Sequence, residues 1–295
     1  MEIAAKNQEK RIKKKSLWAD AWHRMKRNKS SVIAMVLLGM IFLTAILAPV
    51  LIDYDTDVVE PDMRTRLQFP AEGHALGTDE LGRDIFSRIL YGSRFSLSAG
   101  ILTVVFSSFI GITIGAVAGY YGGLFDTILM RMMDILLAIP GMLLMITIVT
   151  ALEPNFMNLI IAMSISSIPS SSRMIRVQVM KVKNQEFIEA VKVLGASDLR
   201  IILVHILPNA ISPLISSYAM AVAGGIMGIS AMSFLGLGVQ PPNPEWGAML
   251  SSGKAFIRDV WHVTAFPGIA IVIVVVLLTL LGDGLRDALD PKMKR

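Results

Sequence analysis

The chain of 295 residues contains no cysteine. That excludes a disulfide framework and any thiolate metal site. Its four histidines, His23, His74, His205 and His262, lie outside the apolar runs and never at metal-ligand spacing. Charge is scarce too, at 17% of residues, and the long apolar runs hold none beyond Arg131 and Asp134. Those two stand a turn apart near the end of a run, which fits a structural pair better than a proton relay. An ion-coupled transporter needs an intramembrane acid or broken helices that bind a cation, so that class is disfavoured. No G-x-x-x-x-G-K-[ST] string exists. Gly247 to Lys254 has one residue too many and continues into Ala255, so it is not an ATP loop. The serine-rich segments lack a neighbouring His or Lys base, which an intramembrane protease would need. No covalent chemistry, metal or cofactor is expected of this chain.

What is abundant is apolar. Hydrophobic residues make up 54% of the chain, mean hydropathy is +0.60, and the apolar residues fall in long blocks. About 20 such residues cross a bilayer. The blocks predict six spans, at Val32–Ile52, Leu97–Tyr120, Ile128–Leu152, Phe156–Ser172, Ile211–Leu235 and Thr264–Leu281. The fourth is short and serine-rich. The expected architecture is an all-α membrane protein forming one integral domain. The first run exceeds a usual signal-peptide core and follows a long leader, so it is expected to be retained.

Charge sets the orientation. Residues 1–30 hold ten Lys or Arg against three acids. A nucleic-acid partner could explain such a leader, but an apolar run follows immediately, which favours a membrane-adjacent one. Placing both termini in the cytoplasm puts 1–31, 121–127, 173–209 and 282–295 inside. These include Arg173, Arg176, Lys181, Lys183, Lys192 and Arg200. Segments 53–96, 153–155 and 236–263 then lie outside, the first with nine acids against five arginines. The expected layout is a leader (1–31), a first span (32–52), an outer segment (53–96), a core of five spans (97–281) containing a cytoplasmic loop (173–209), and a tail (282–295).

Several local features refine that layout. Residues 17–29 read as an amphipathic surface helix, with Trp18, Trp22 and Met25 on one face and Arg24, Lys26, Arg27 and Lys29 near headgroups. From Thr78 onward, Leu81, Ile85, Ile89 and Leu90 suggest an outer surface helix capped by Thr78, with Asp79 and Glu80 in its first turn. It would serve as a lid or as a contact for a substrate-delivering protein. Pro241, Pro242 and Pro244 stiffen the approach to a second outer helix, Glu245–Ile257, with Trp246, Leu250 and Ile257 on a partly apolar face. Gly111, Gly115, Gly119 and Gly123 recur every four residues, and Gly224 and Gly228 with Ala221 make a similar small face. Helix packing within one subunit is the simpler account of both. Pro140 and Pro169 should kink the third and fourth spans. The hydroxyls of Ser164, Ser166, Ser167 and Ser170 to Ser172 either satisfy the backbone around Pro169 or, through Ser164, Ser167 and Ser171, line a path for a polar solute.

Between the fourth and fifth spans lies QEFIEAVKVLGASDLRIILVHILPN, residues 185–209. Phe187, Ile188, Val191 and Leu194 give Gln185 to Leu194 a helical period. Gly195 sits where a left-handed turn would end that helix. A second short helix is expected from Ser197 toward Pro208, followed by return into the membrane. Helix, glycine elbow, helix describes a rigid knob on a membrane surface.

That knob resembles the EAA loop of permease subunits in bacterial ABC importers, through Glu189-Ala190, Gly195 and Leu207-Pro208. Val191 stands at the third EAA position, and His205 where many members have Ile. HALGTDELGRDIFSRILYGSRFSL (74–97), SFLGLGVQPPNPEWGAML (233–250) and GDGLRDALDP (282–291) resemble the peptide/nickel permease branch. The resemblance implies a type I ABC importer permease fold in a bacterial inner membrane. It also implies a homologous permease partner, two ABC ATPase subunits and an external substrate-binding protein. ATP would be hydrolysed by those partners, so the chain itself is not expected to be an enzyme. Glu189, Ala190, Gly195, Leu207 and Pro208 would couple to the ATPases, and dipeptides or oligopeptides would be carried, with nickel chelates the alternative. Members often carry Trp before the proline of the fourth span, where this chain has Ile168.

Overall fold

A computed structural model describes residues 22–289. Trp18, Asp290 and Pro291 therefore lie outside the described residues, as does most of the leader. Residues 22–25 are helical and turn at 26–27, so the amphipathic helix expected over 17–29 ends early. Asn28 cuts it off by capping the next helix, its side chain accepting from the backbone N–H of Ser30 and Ser31. Met25 is buried against Ala288 rather than set toward a surface.

The first long helix, α1, is Lys29–Leu51. The segment after it forms a π-helical turn at Tyr54–Val59 and a 3₁₀ turn at Met63–Thr65. The surface helix expected from Thr78 is not there. Asp79 is buried and gathers the loop around itself, accepting from the N–H of Leu81 and Arg83 at 2.9 and 3.0 Å and from Arg83 Nε at 2.8 Å. Arg88 Nε lies 3.4 Å from the same carboxylate. A carboxylate engaged in this way cannot also sit solvated in a first helical turn. Thr78 is likewise buried, accepting from Gln68 N–H at 2.9 Å. The helix starts only at Ile85, where Asp84 accepts from Ser87 N–H at 2.8 Å.

That helix, α2, runs Ile85–Tyr121 and contains the predicted second span. At 1.5 Å per residue it is about 55 Å long, well beyond a hydrocarbon core of about 30 Å. The predicted third span is instead two helices, α3 (Gly123–Ala138) and α4 (Gly141–Leu152), bent by 87°. Pro140 is the cause. It lacks an N–H and forces Ile139 to φ −90°, ψ 126°, so the break is complete rather than a kink. Helix α5, Phe156–Lys183, extends far past the predicted end at Ser172 and continues through Pro169. Among the described residues, four helices are long and apolar enough to cross a membrane, or five if α3 and α4 form one span. The fourth expected span lies in α5, which has the length but not the apolarity of these helices.

Helix α6 is Glu186–Val193, and α7 is a helical stretch from Asp198 to Phe234. Helix α8, Trp246–Gly253, is shorter than the predicted 245–257 helix. Trp246 is buried in the core with Ile85, Ala223, Ile226 and Val263, and its Nε1 donates to Ile89 O at 3.0 Å. The helix packs mainly against α7 and the final helix, His262–Leu289, with Trp246 reaching α2. Helix α9, His262–Leu289, takes in most of the expected tail, because Ala288 and its neighbours pack on the start of α1.

The glycine stripe is a packing seam. A Cβ at Gly111 would meet Ser171 Oγ at 2.5 Å, one at Gly115 would meet Ser172 O at 2.4 Å, and one at Gly119 would meet Arg176 O at 2.9 Å. Helices α2 and α5 thus touch backbone to backbone along three turns. Gly123 leaves the stripe, adopting φ +53° to open α3. The seam gives a direct test. Gly115→Val should cost about 1–3 kcal/mol by overpacking and lower the melting temperature in detergent. Gly39→Ala on α1 has nothing within 4 Å of the added carbon, and should leave stability unchanged or raise it by up to about 1 kcal/mol. Equal melting temperatures for the two variants would contradict the seam.

Candidate functional site

The knob is built as its glycine predicts. Helix α6 ends at Leu194, and Gly195 follows with φ +80°, the left-handed geometry that glycine enters without cost. Its N–H donates to Lys192 O at 2.9 Å, satisfying a carbonyl of the last turn. Ser197 occupies the N-cap position of α7 but makes no side-chain capping bond.

The second arm differs from expectation. It does not stop short of Pro208 but runs on into the long helix, with a π-helical segment at Ile201–Ile206 leading directly into Leu207–Ile211. Pro208 needs that irregularity. A proline inside a regular helix leaves one carbonyl without its donor, and the wider π turn immediately before it shifts the hydrogen-bond register.

The root of the knob is apolar and buried. Ile188, Ile201, Ile202 and Ile206 pack with Tyr120, Ile175, Val179 and Val182. Tyr120, at the end of α2, pins the second arm by donating from its hydroxyl to Asp198 Oδ1 at 2.5 Å. Lys183 Nζ donates to Tyr120 O at 2.5 Å, and Lys192 Nζ lies 5.4 Å from the ring centroid. Three segments therefore converge on one tyrosine. Sequence reasoning missed Tyr120 because it looked like the last residue of an apolar run.

The tip is the reverse. Glu189 and Ala190 are exposed, and Val193 and Leu194 are 87% and 85% exposed beside the elbow. Leu199 across the turn is exposed as well. Of the predicted coupling residues, Glu189, Ala190 and Gly195 gather at this tip. Leu207 and Pro208 sit apart from it, where α7 leaves the knob.

A second feature lies between α2, α5 and α7. It is a cavity of about 300 Å³, with Ser107 and Ser108 from α2, Ser167 and Ser171 from α5, and Tyr218 and Gly224 from α7 among its walls. Two of the three predicted path serines, Ser167 and Ser171, are brought together here. Ser164 is not: it is buried outside the cavity, donating to Ile160 O at 2.7 Å. Ser172 likewise donates to Ile168 O at 2.8 Å. Tyr218 and the α2 hydroxyls were missed, since single polar residues inside apolar runs leave no periodic signal.

The small face on α7 is also displaced by one residue. Gly225, not Gly224, packs against α2: a Cβ there would lie 3.3 Å from Gly100 O, whereas one at Gly224 would meet nothing within 4 Å. A Cβ at Gly228 would meet only the flexible end of Met163, at 2.6 Å. Arg131 and Asp134 do pair, at 3.8 Å. Asp134 also bridges to Arg173, and Asp126 to Arg176 at 2.5 Å, so the acids of α3 tie it to α5.

Comparison with known proteins agrees with this architecture. Residues 111–295 match the family described as binding-protein-dependent transport system inner membrane component. Residues 16–70 match the N-terminal TM domain of oligopeptide transport permease C. The dipeptide transport system permease protein DppC of Alkalihalophilus pseudofirmus is 42% identical over 95% of this chain and 91% of its own length. The glutathione transport system permease protein GsiD of Pectobacterium atrosepticum is 42% identical, covering 94% of this chain and 92% of its own length. The inward-facing MetNI methionine ABC transporter shares the fold at 17% identity, with a TM-score of 0.56 over 69% of this chain and 96% of that one. With a buried-root knob beside a bundle of apolar helices, and relatives matched over nearly the whole length, the chain belongs to the binding-protein-dependent transport inner membrane component family and is a multi-pass inner membrane protein.

Proposed function

We propose that this chain is the permease subunit of an ATP-driven importer of short peptides. It would work with a homologous permease, two ABC ATPase subunits and an external binding protein, with its own termini in the cytoplasm. The observation that carries the reading is the knob: an apolar tip, Val193 and Leu194, exposed on a turn whose root is immobilised by Tyr120 and Asp198. An exposed apolar pair on a rigid support suits a partner surface better than solvent. The Glu189 carboxylate beside it would pair with a basic group on the ATPase. Closure of the ATPase pair would push both knobs and rotate the bundles as rigid bodies. The peptide class is supported by the relatives named for dipeptide and glutathione transport.

Two experiments address this reading. Leu194→Glu changes an exposed side chain and should alter stability by less than about 0.5 kcal/mol, yet the ATPase should no longer co-purify. Gly195→Val places a β-branched residue at φ +80°, at a cost of about 1–3 kcal/mol. It should separate ATP hydrolysis from uptake when both are measured in the reconstituted complex. Wild-type values for both activities in these variants and in Glu189→Ala would reject the coupling role.

Orientation has its own test. Lys254, just beyond α8, is exposed, and the chain has no native cysteine to interfere. Lys254→Cys should react with a membrane-impermeant thiol reagent in intact cells. Labelling only after lysis would invert the proposed topology.

A further inference from the structure

The cavity between α2, α5 and α7 has a chemistry that the importer reading does not by itself specify. Its walls mix hydroxyl, small and apolar side chains and include no charged residue. Ser167 donates to Met163 O at 2.9 Å, leaving its oxygen lone pairs free to accept. Ser171 Oγ and Tyr218 OH are both buried and make no hydrogen bond of ordinary geometry, and Ser171 as a residue is only 7% exposed. Buried hydroxyls are nearly always partnered, by protein, water or a transient ligand. Here two of them stand beside each other at the same space, with Ser108 next to Tyr218, and find no further partner.

Hydroxyls both donate and accept, and they carry no fixed charge. That is the complement of a peptide group, which offers one N–H and one C=O whatever its side chain. A free cation or an isolated carboxylate would find no countercharge in these walls. The volume, about 300 Å³, is at the lower end of small-molecule sites, which span about 300–1,000 Å³.

Adjacent glycines on α7 separate structure from space. Gly225 is fixed by the backbone of Gly100 at 3.3 Å, while Gly224 borders the cavity with nothing within 4 Å of the position a Cβ would take. Gly224 is exposed at the mouth of the cavity, so a larger residue there would narrow the opening without displacing a helix of this chain. Resting on the importer reading, we propose that this cavity is a transit site for the peptide group, in which Ser171 and Tyr218 hydrogen-bond the passing amide and Gly224 sets the width.

The test uses the full complex in vesicles, with labelled diglycine and diphenylalanine as probes. Gly224→Ala, Gly224→Val and Gly224→Phe should co-purify in the full complex at the melting temperature of the parent. Uptake should fall progressively with side-chain size, by at least tenfold for Gly224→Phe, and diphenylalanine should be lost before diglycine. A merely structural glycine would not discriminate between the two peptides. Ser171→Ala combined with Tyr218→Phe should lower uptake of both. Gly224→Cys should react with a small thiol reagent at a rate that saturating diglycine slows during turnover. Wild-type uptake of both peptides by Gly224→Phe, or a Gly224→Cys thiol unreactive in every state, would overturn the transit site while leaving the importer reading intact. Failure of the unmodified complex to take up either peptide would overturn both.

Discussion

The structure depends on one contact, the backbone seam between α2 and α5 at Gly111, Gly115 and Gly119. Both functional features hang from its ends. At one end, Gly111 presses on Ser171 at 2.5 Å from where a Cβ would sit, and Ser171 is a wall of the hydroxyl-lined cavity. At the other, one residue beyond Gly119, Tyr120 anchors the knob. Two helices in backbone contact cannot slide without losing close packing over several turns. Cavity wall and knob root are therefore carried by one closely packed helix pair.

The loop ahead of α2 is organised by a different principle. Asp79 is buried with two guanidinium groups against it, Arg83 at 2.8 Å and Arg88 at 3.4 Å. A buried carboxylate so paired specifies geometry more than it adds stability, because desolvation offsets much of the attraction. What it specifies is where α2 begins. Arg88 belongs to the helix, whereas Asp79 and Arg83 belong to the loop, so the cluster fixes the loop onto the end of the seam helix.

Much of this was legible in the sequence, and the failures share a cause. The four-residue glycine period, the left-handed turn at Gly195 and the long apolar blocks are local signals that tertiary structure had no reason to override. Thr78 and Trp246 are governed by partners distant in sequence, whereas Pro140 bends its span where the sequence expects it, only further. A cap-like Thr followed by two acids reads as a helix start until Arg88 takes Asp79 away. Trp246 reads as interfacial until Ile89 O accepts its N–H. At Gly224 and Gly225 the sequence is symmetric, and only the position of Gly100 tells the space-filling glycine from the packing one. The polar face of α5 was noticed as serines, but neither Tyr218 nor the α2 hydroxyls opposite could be assigned to it without the fold.

The π-helical segment at Ile201–Ile206 has a geometric consequence of its own. A π turn holds one residue more than the α-helical turn it replaces, and each residue of an α-helix advances the phase by about 100°. The azimuth at which α6 and the elbow point away from the bundle is therefore written in chain length. A chain of the same length wound throughout as regular α-helix would aim its tip about a quarter-turn elsewhere. An insertion or deletion in this short stretch that no π turn absorbs thus acts as a rotation of the tip.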